Sequence, residues 1–525
     1  MDLLRRHLLA GSAAGACLGL AGCASRPSGD TGPGDVLAES RGDTPVHQLR
    51  WLNRLSWGAT PEVARQLASQ GRSRWLAQQL KAQPGAPLPP EAQAQIDAMT
   101  ITREPLVTRV VALEAQRRAA DALKDDEAKK AAQQAYQQEL NRQGRESAQR
   151  FVLRALYSPQ QVQEQMVWFW MNHFNLHLYK GNLRALIPDF EEQAVRPHVL
   201  GRFRELLGAT VYHPAMLRYL DNEHNASGRL NENYARELME LHTLGVGGGY
   251  SQQDVQAMAR VLSGLGVVNP PDAAPPQLPP ALQGQYVRRG LFEFNPRRHD
   301  GSPQSLLGQP LPGQGLQRVE AALDRLARHP STARFLARKL VLFWVSDKPS
   351  PDLVDKLAGA FQRHDGDIAA TLEVLFASPE FAASLGTLFR DPVHYVLAAV
   401  RLAYDGRVIL NPNPVLNWIN RLGEPLYGRS TPDGYPLESA AWSSAGQMST
   451  RFEVARAIGS GPAGLFKTET QPVVEKPAFP QLSNALYHQG LAQSLGPRTR
   501  QALEQATSPQ EWNTFLLSSP EFMNR

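Results

Sequence analysis

Apolar residues recur at three- and four-residue spacing along most of the chain, and the breaks in that pattern mark out its elements. Residues 47 to 80 read as amphipathic helices interrupted at "GATPE", where Thr60-Pro61 opens a new helix. "AQPGAPLPP", residues 82 to 90, predicts a linker. From Glu104 to about Leu156 runs an Ala-, Gln- and charge-rich stretch with no proline after Pro105. It predicts an extended helical hairpin whose charges form a solvated face. Residues 158 to 181 begin with a Ser-Pro cap and become heavily aromatic around Trp168, Phe169 and Trp170.

Further along, residues 268 to 285 form a proline-rich loop, and alternation around Phe292 and Phe294 makes 286 to 301 the best strand candidate. Residues 315 to 347 return to helical spacing, with "HPST" (329 to 332) acting as a helix N-cap. Gly245 reads as the end of one helix, and Ser251 with Asp254 as the capping box of the next. The predicted fold is mainly α: a large, bundle-like multi-helix body over 46–525 with at most a small β hairpin.

Composition adds exclusions. The 525 residues are 42% hydrophobic and 20% charged, ordinary for a globular protein. The net charge of +5 is scattered, with no run of five like charges, so nucleic acid is not an expected partner. Both cysteines, Cys17 and Cys23, sit near the N-terminus, which excludes a disulfide framework, a zinc finger and a CxxCH haem attachment in the body. Nucleotide-binding P-loop and G-x-S-x-G patterns are absent.

The first 22 residues have the parts of an export signal: Arg5 and Arg6, an apolar stretch from Leu8 to Leu20, and a cleavage region. The paired arginines resemble the twin-arginine pattern. "LAGC" resembles a bacterial lipoprotein box that would put a lipid on Cys23, with plain cleavage as the competing outcome. Ala24 after the cysteine points to the outer membrane. Residues 23–45 would then be a flexible tether, and the expected location is the periplasm, anchored to the outer membrane.

"RLSWGATPE" (54 to 62), "MVWFWMNHF" (166 to 174), "PAMLRYLDN" (214 to 222), "NENYARELMELHTLGV" (231 to 246), "GGYSQQDV" (248 to 255), "FNPRRHDGSPQSLLG" (294 to 308) and "HPSTARFLARKL" (329 to 340) occur in one order. With "DGYPLESAAWSSAGQMSTRF" (433 to 452), they make the chain resemble the bacterial domain-of-unknown-function family 1800 across roughly 46 to 524. It departs at "LSGL" (262 to 265), where the family usually has an "LTGW"-like run. The resemblance implies a possible partner, a co-exported protein of domain-of-unknown-function family 1501, which resembles phosphatases and sulfatases.

Placed on a helix, residues 231 to 244 put Asn233, Glu237 and Glu240 on one side with Arg236 beside them, and His242 on the apolar side. Two carboxylates one turn apart repel unless a cation or a shared proton intervenes. The cluster is therefore either a salt-bridged surface or a site. The site reading makes Glu237, Glu240 and His173 catalytic, with Asn231, Asn233, Arg236, His299 and Asp300 binding substrate. His242 reads as a core histidine whose ring bonds a carbonyl.

His173 and His177, at i, i+4, have the spacing of two metal ligands on one helix, so a divalent metal on Glu237, Glu240, His173 and His177 is the cofactor expectation; the bland alternative is an aromatic helix end. A weaker option is haem or redox chemistry at His173. Asp221, Asn222 and Glu223 either join a pocket or end a helix. The expected function is thus an envelope lipoprotein acting as a carboxylate/histidine enzyme, with a non-enzymatic scaffold for the co-exported protein as the alternative.

Overall fold

A hydroxyl or carboxylate residue followed by proline starts many of the helices. Thr44, Thr60, Ser350, Ser378, Asp391 and Ser508 each accept a first-turn amide, and proline takes the next position, where no donor is needed. His213 and His329 do the same with Nδ1, so "HPST" is the helix start the pattern predicts. Ser251 and Asp254 form the expected capping box. Ser158 is different: it closes the preceding helix, and Gln160 occupies the cap position of the aromatic one.

The computed structural model describes residues 44–83, 85–468 and 479–525. The export signal, Cys23 and nearly all of the tether lie outside these residues.

The described chain is mainly α. Helices Leu106–Ala122 and Asp126–Tyr157 form the long hairpin. Its charges do not all form the expected solvated face: Arg109 is buried, with Nη1 donating to Gln143 Oε1 (2.6 Å) and to the Ala185 carbonyl (3.0 Å). The hairpin expected near Phe292 is formed by Val287–Arg289 and Phe292–Phe294, and Leu265–Val267 pairs antiparallel along its other edge. A two-residue ladder joins Ser305–Leu306 to Gln309–Pro310.

Helix Gln161–His173 is central, with all thirteen residues buried. It has no wet face because helices and loops cover it on every side, and its Glu164 is paired with buried Arg196 (2.9 Å). Arg196 also reaches Glu191 (3.3 Å) on the π-helical turn Phe190–Val195. Glu192 completes the network: burial pushes its carboxyl up, but Arg150, Arg154 and Arg196 outweigh that and hold it at about 2.

Distant parts of the sequence close on one buried guanidinium. Arg54 is fully buried and donates to the carbonyls of Trp344, Ser384 (2.6 Å) and Arg525 (2.6 Å). Arg525 in turn donates to Gln165 Oε1 (2.8 Å) on the central helix.

Candidate functional site

The segment 231 to 244 is not one regular helix. Asn233–Glu237 is α-helical and Leu238–Thr243 is a π-helical turn, a feature frequent at functional sites. The wider turn changes the angular register, so the 100° spacing fails after Glu237. His242 is buried as expected, but its ring Nε2 has no hydrogen-bond partner; its backbone carbonyl makes the helix-to-helix bond. That carbonyl accepts from His173 Nε2 at 3.1 Å.

Because a carbonyl can only accept, His173 carries its proton on Nε2. Its Nδ1 lone pair then faces Lys339 Nζ at 3.0 Å. Lys339 stands on helix Pro330–Trp344 and lies over the Phe335 ring at 5.6 Å. The Gly245 turn packs on the same ring: at φ +82°, a Cβ there would come within 2.9 Å of it. Lys339 is half-buried and forms no ion pair among the described residues. Burial lowers its ammonium to about 8 against the opposing charges of Asp433 and Glu438. Burial, with the neighbouring Lys339 charge, holds His173 well below its ordinary range, so the imidazole is neutral.

Asp433 reaches this corner from the loop after residue 428. Asn172 holds that loop from the end of the central helix, donating to the Tyr435 carbonyl (2.9 Å) and accepting from the Tyr435 amide (2.6 Å). Asn175 donates to the Arg429 and Thr431 carbonyls, and Tyr219 to that of Ser430. Gly434, at φ +78°, lies so close that a Cβ would meet the Asn172 carbonyl at 2.2 Å. Arg429 pairs with Asp433 at 3.2 Å.

Glu237 shares Asp433 as a charged neighbour with Lys339. It is half-buried, makes no ion pair among the described residues, and is raised by burial first, then by the charges of Glu240 and Asp433, against Arg236. The charges of Glu237 and Asp433 also help burial to push the Tyr219 phenol to about 12. Exposed Asp433 thus acts on both Glu237 and Lys339, and Lys339 leads inward to the buried His173 and His242.

The remaining expected site residues go elsewhere or serve the fold. Glu240 is held by Arg236 (3.5 Å) and by Tyr250, and Arg236 also grips Glu232 (3.2 Å) and Gln252 (2.9 Å). Asn233 donates to the Leu220 carbonyl and Asn231 to that of Asp221, which fixes the entry to this helix. His299 Nδ1 bonds the Ser263 carbonyl (2.9 Å), and Asp300 accepts from Ser302 and pairs with Arg260 (3.7 Å). Among the described residues, His299 and Asp300 thus bond to Ser263, Ser302 and Arg260, and to neither Glu237 nor His173. Asp221 ends a helix in the left-handed region, while Asn222 donates to the Leu262 and Leu265 carbonyls.

The described residues do not bring the four metal candidates together. The aromatic helix ends at His173, so His177 lies in the extended segment beyond it and the two imidazoles do not share a helical face. Both nitrogens of His173 are hydrogen-bonded, Nε2 to the His242 carbonyl and Nδ1 to Lys339. Among the described residues, no group of three or more His, Cys, Asp or Glu is placed to hold a metal ion.

Lys339 and Asp433 were not singled out from sequence. Both sit inside the quoted motifs, "HPSTARFLARKL" and "DGYPLESAAW", and that was the only signal for them. The largest of the five described cavities, about 760 Å³, lies apart, beside Tyr157, Arg401 and Asp405. There Arg401 is committed to the carbonyls of Gly58, Ala155 and Leu156, so it closes the wall and is not free for a ligand.

A family model described as "Protein of unknown function (DUF1800)" matches residues 50–524. No curated protein and no solved structure matches the chain.

Proposed function

The chain belongs to the DUF1800 family, and we propose that it is an exported cell-envelope lipoprotein that hydrolyses an envelope substrate at the Lys339–His173–Glu237 corner. The observation carrying this reading is Lys339 Nζ, 3.0 Å from a neutral imidazole and without a carboxylate partner. A cation is rarely half-buried in that way for stability, because desolvation opposes it. One N–H of Lys339 serves His173 Nδ1, and the neutral amine keeps its lone pair. In this reading the amine takes a proton from water as the water oxygen attacks, and Glu237 gives its proton to the departing group. Proton exchange with solvent restores both.

The test is chemical labelling of lysines across pH, read by mass spectrometry, with envelope-hydrolysing activity followed in parallel. Lys339 should reach half reactivity near pH 8 and activity should fall as it reacts. Should Lys339 react only with the surface lysines, near their ordinary range of about 10.4, the reading fails. The location is tested separately: Cys23→Ser should abolish fatty-acid incorporation and release the protein into the soluble periplasm.

A second reading, a non-enzymatic scaffold for a co-exported family 1501 protein, is favoured by the Arg236 network with Glu232, Glu240 and Gln252. A tight, metal-free complex that survives Glu237→Gln and Lys339→Met, with no activity in either the wild type or the variants, would establish it.

A further inference from the structure

Away from that corner, a cavity of about 710 Å³ opens between the long hairpin and helix Asn413–Arg421. Asn413, Asn417 and Asn420 line it at i, i+4 and i+7, so one helical face presents a row of carboxamides. Asn417 and Asn420 are exposed, and their side chains make no hydrogen bond among the described residues. Asn413 accepts from Gln149 through Oδ1 (3.0 Å), which leaves its amide as a donor. Arg145 and His177 stand in the lining, and no Asp or Glu does. His177 Nδ1 is buried without a partner. At the rim Tyr179 is 62% exposed, with its ring braced by His177 (5.7 Å between centroids) and by the Arg184 guanidinium (5.5 Å).

We infer that this groove binds an acidic saccharide. The reasons are the match of groups. Asn417 and Asn420 each offer a donor and an acceptor and Asn413 a further donor, which suits a ligand carrying a hydroxyl on successive carbons. An exposed, braced tyrosine supplies an amphipathic surface for the C–H face of a sugar ring at little entropic cost. An arginine with no carboxylate among the lining residues favours an anionic group on the ligand, by charge-assisted and bidentate bonding. A protein interior would cover such a row with its own polar groups; here the row faces open space. The binding does not depend on the reading of Lys339.

Isothermal titration of the full chain with tetragalacturonate and with maltotetraose tests this. The acidic oligosaccharide should bind and the neutral one should bind more weakly. Arg145→Glu should weaken the acidic ligand by about tenfold or more, the value of a lost charge-assisted contact, and leave the neutral one unchanged. Tyr179→Ala and Asn417→Ala, both at exposed positions and therefore folding as the wild type, should weaken both ligands. Absence of heat with either sugar at millimolar concentration overturns the inference. So does binding that Arg145→Glu, Tyr179→Ala and Asn417→Ala all leave unchanged, and equal affinity for both sugars overturns the acidic specificity.

Discussion

Lys339 and His173, 166 residues apart in sequence, meet at 3.0 Å, with the lysine as donor and the Nδ1 lone pair as acceptor. The bond works in one direction because His173 Nε2 already gives its proton to the His242 carbonyl. A neutral imidazole thus supports an amine that titrates near 8, and the consequences are measurable.

Lys339→Met should change stability in a pH-dependent way. The lysine is lowered in the folded chain, from 10.5 to about 8, so between these values the unfolded chain holds a proton that the folded one has shed. Stability of the wild type therefore rises with pH across that window, and its cost is fully present below pH 8. Relative to Lys339→Met, the wild type should gain about 1–2 kcal/mol between pH 7.5 and 10, after discounting for partial solvent access. Paired urea denaturations at the two pH values measure the difference; a flat difference contradicts the lowered amine.

Glu237 and Glu240 should separate. Glu237→Gln replaces a carboxyl whose ionised form burial, Glu240 and Asp433 disfavour, so its melting temperature at pH 7 should equal or exceed that of the wild type while envelope hydrolysis is lost. Glu240→Gln gives up a partly exposed pair with Arg236, costing about 0.3–0.5 kcal/mol, and should retain activity. Loss of activity in both with normal melting would return the site to the paired carboxylates.

Gly434→Ala should disturb the corner without touching a titrating group. An added Cβ collides with the Asn172 carbonyl, and the left-handed backbone adds strain. We expect a loss of about 1–3 kcal/mol and a raised exchange rate for the Tyr435 amide, read by hydrogen–deuterium exchange.

Arg196→Met is the structural control. It strands Glu164 and Glu191 in the core and should cost about 3–5 kcal/mol. In the wild type, Glu192 is lowered from 4.5 to about 2, so its contribution is present above pH 4.5 and lost as pH falls toward 2. Acid unfolding of Arg196→Met should begin at a higher pH than that of the wild type.

Much of the architecture was legible because it is local. Thr60-Pro61, the "HPST" cap and the Ser251–Asp254 box act within three residues, and helical spacing shows wherever an element has one wet face. The central aromatic helix has none, so its end at His173 was invisible and His177 looked like its neighbour. A π-helical turn leaves no mark in periodicity, so the switch from α to π after Glu237 was invisible, and with it the commitment of Glu240 to Arg236 and Tyr250. Lys339 reads as any solvated lysine until Phe335 and His173 are known to surround it. Asp433 arrives from a loop nearly two hundred residues beyond Glu237, and chain spacing carries no sign of that approach.

Arg54 touching the carbonyl of Arg525 has a temporal meaning. While the ribosome is still making the second half, the central helix lacks the groups that cap its inner wall, and a fully buried guanidinium waits without acceptors. Arg54 therefore has its full set of carbonyl acceptors only when residues 344, 384 and 525 are all in place.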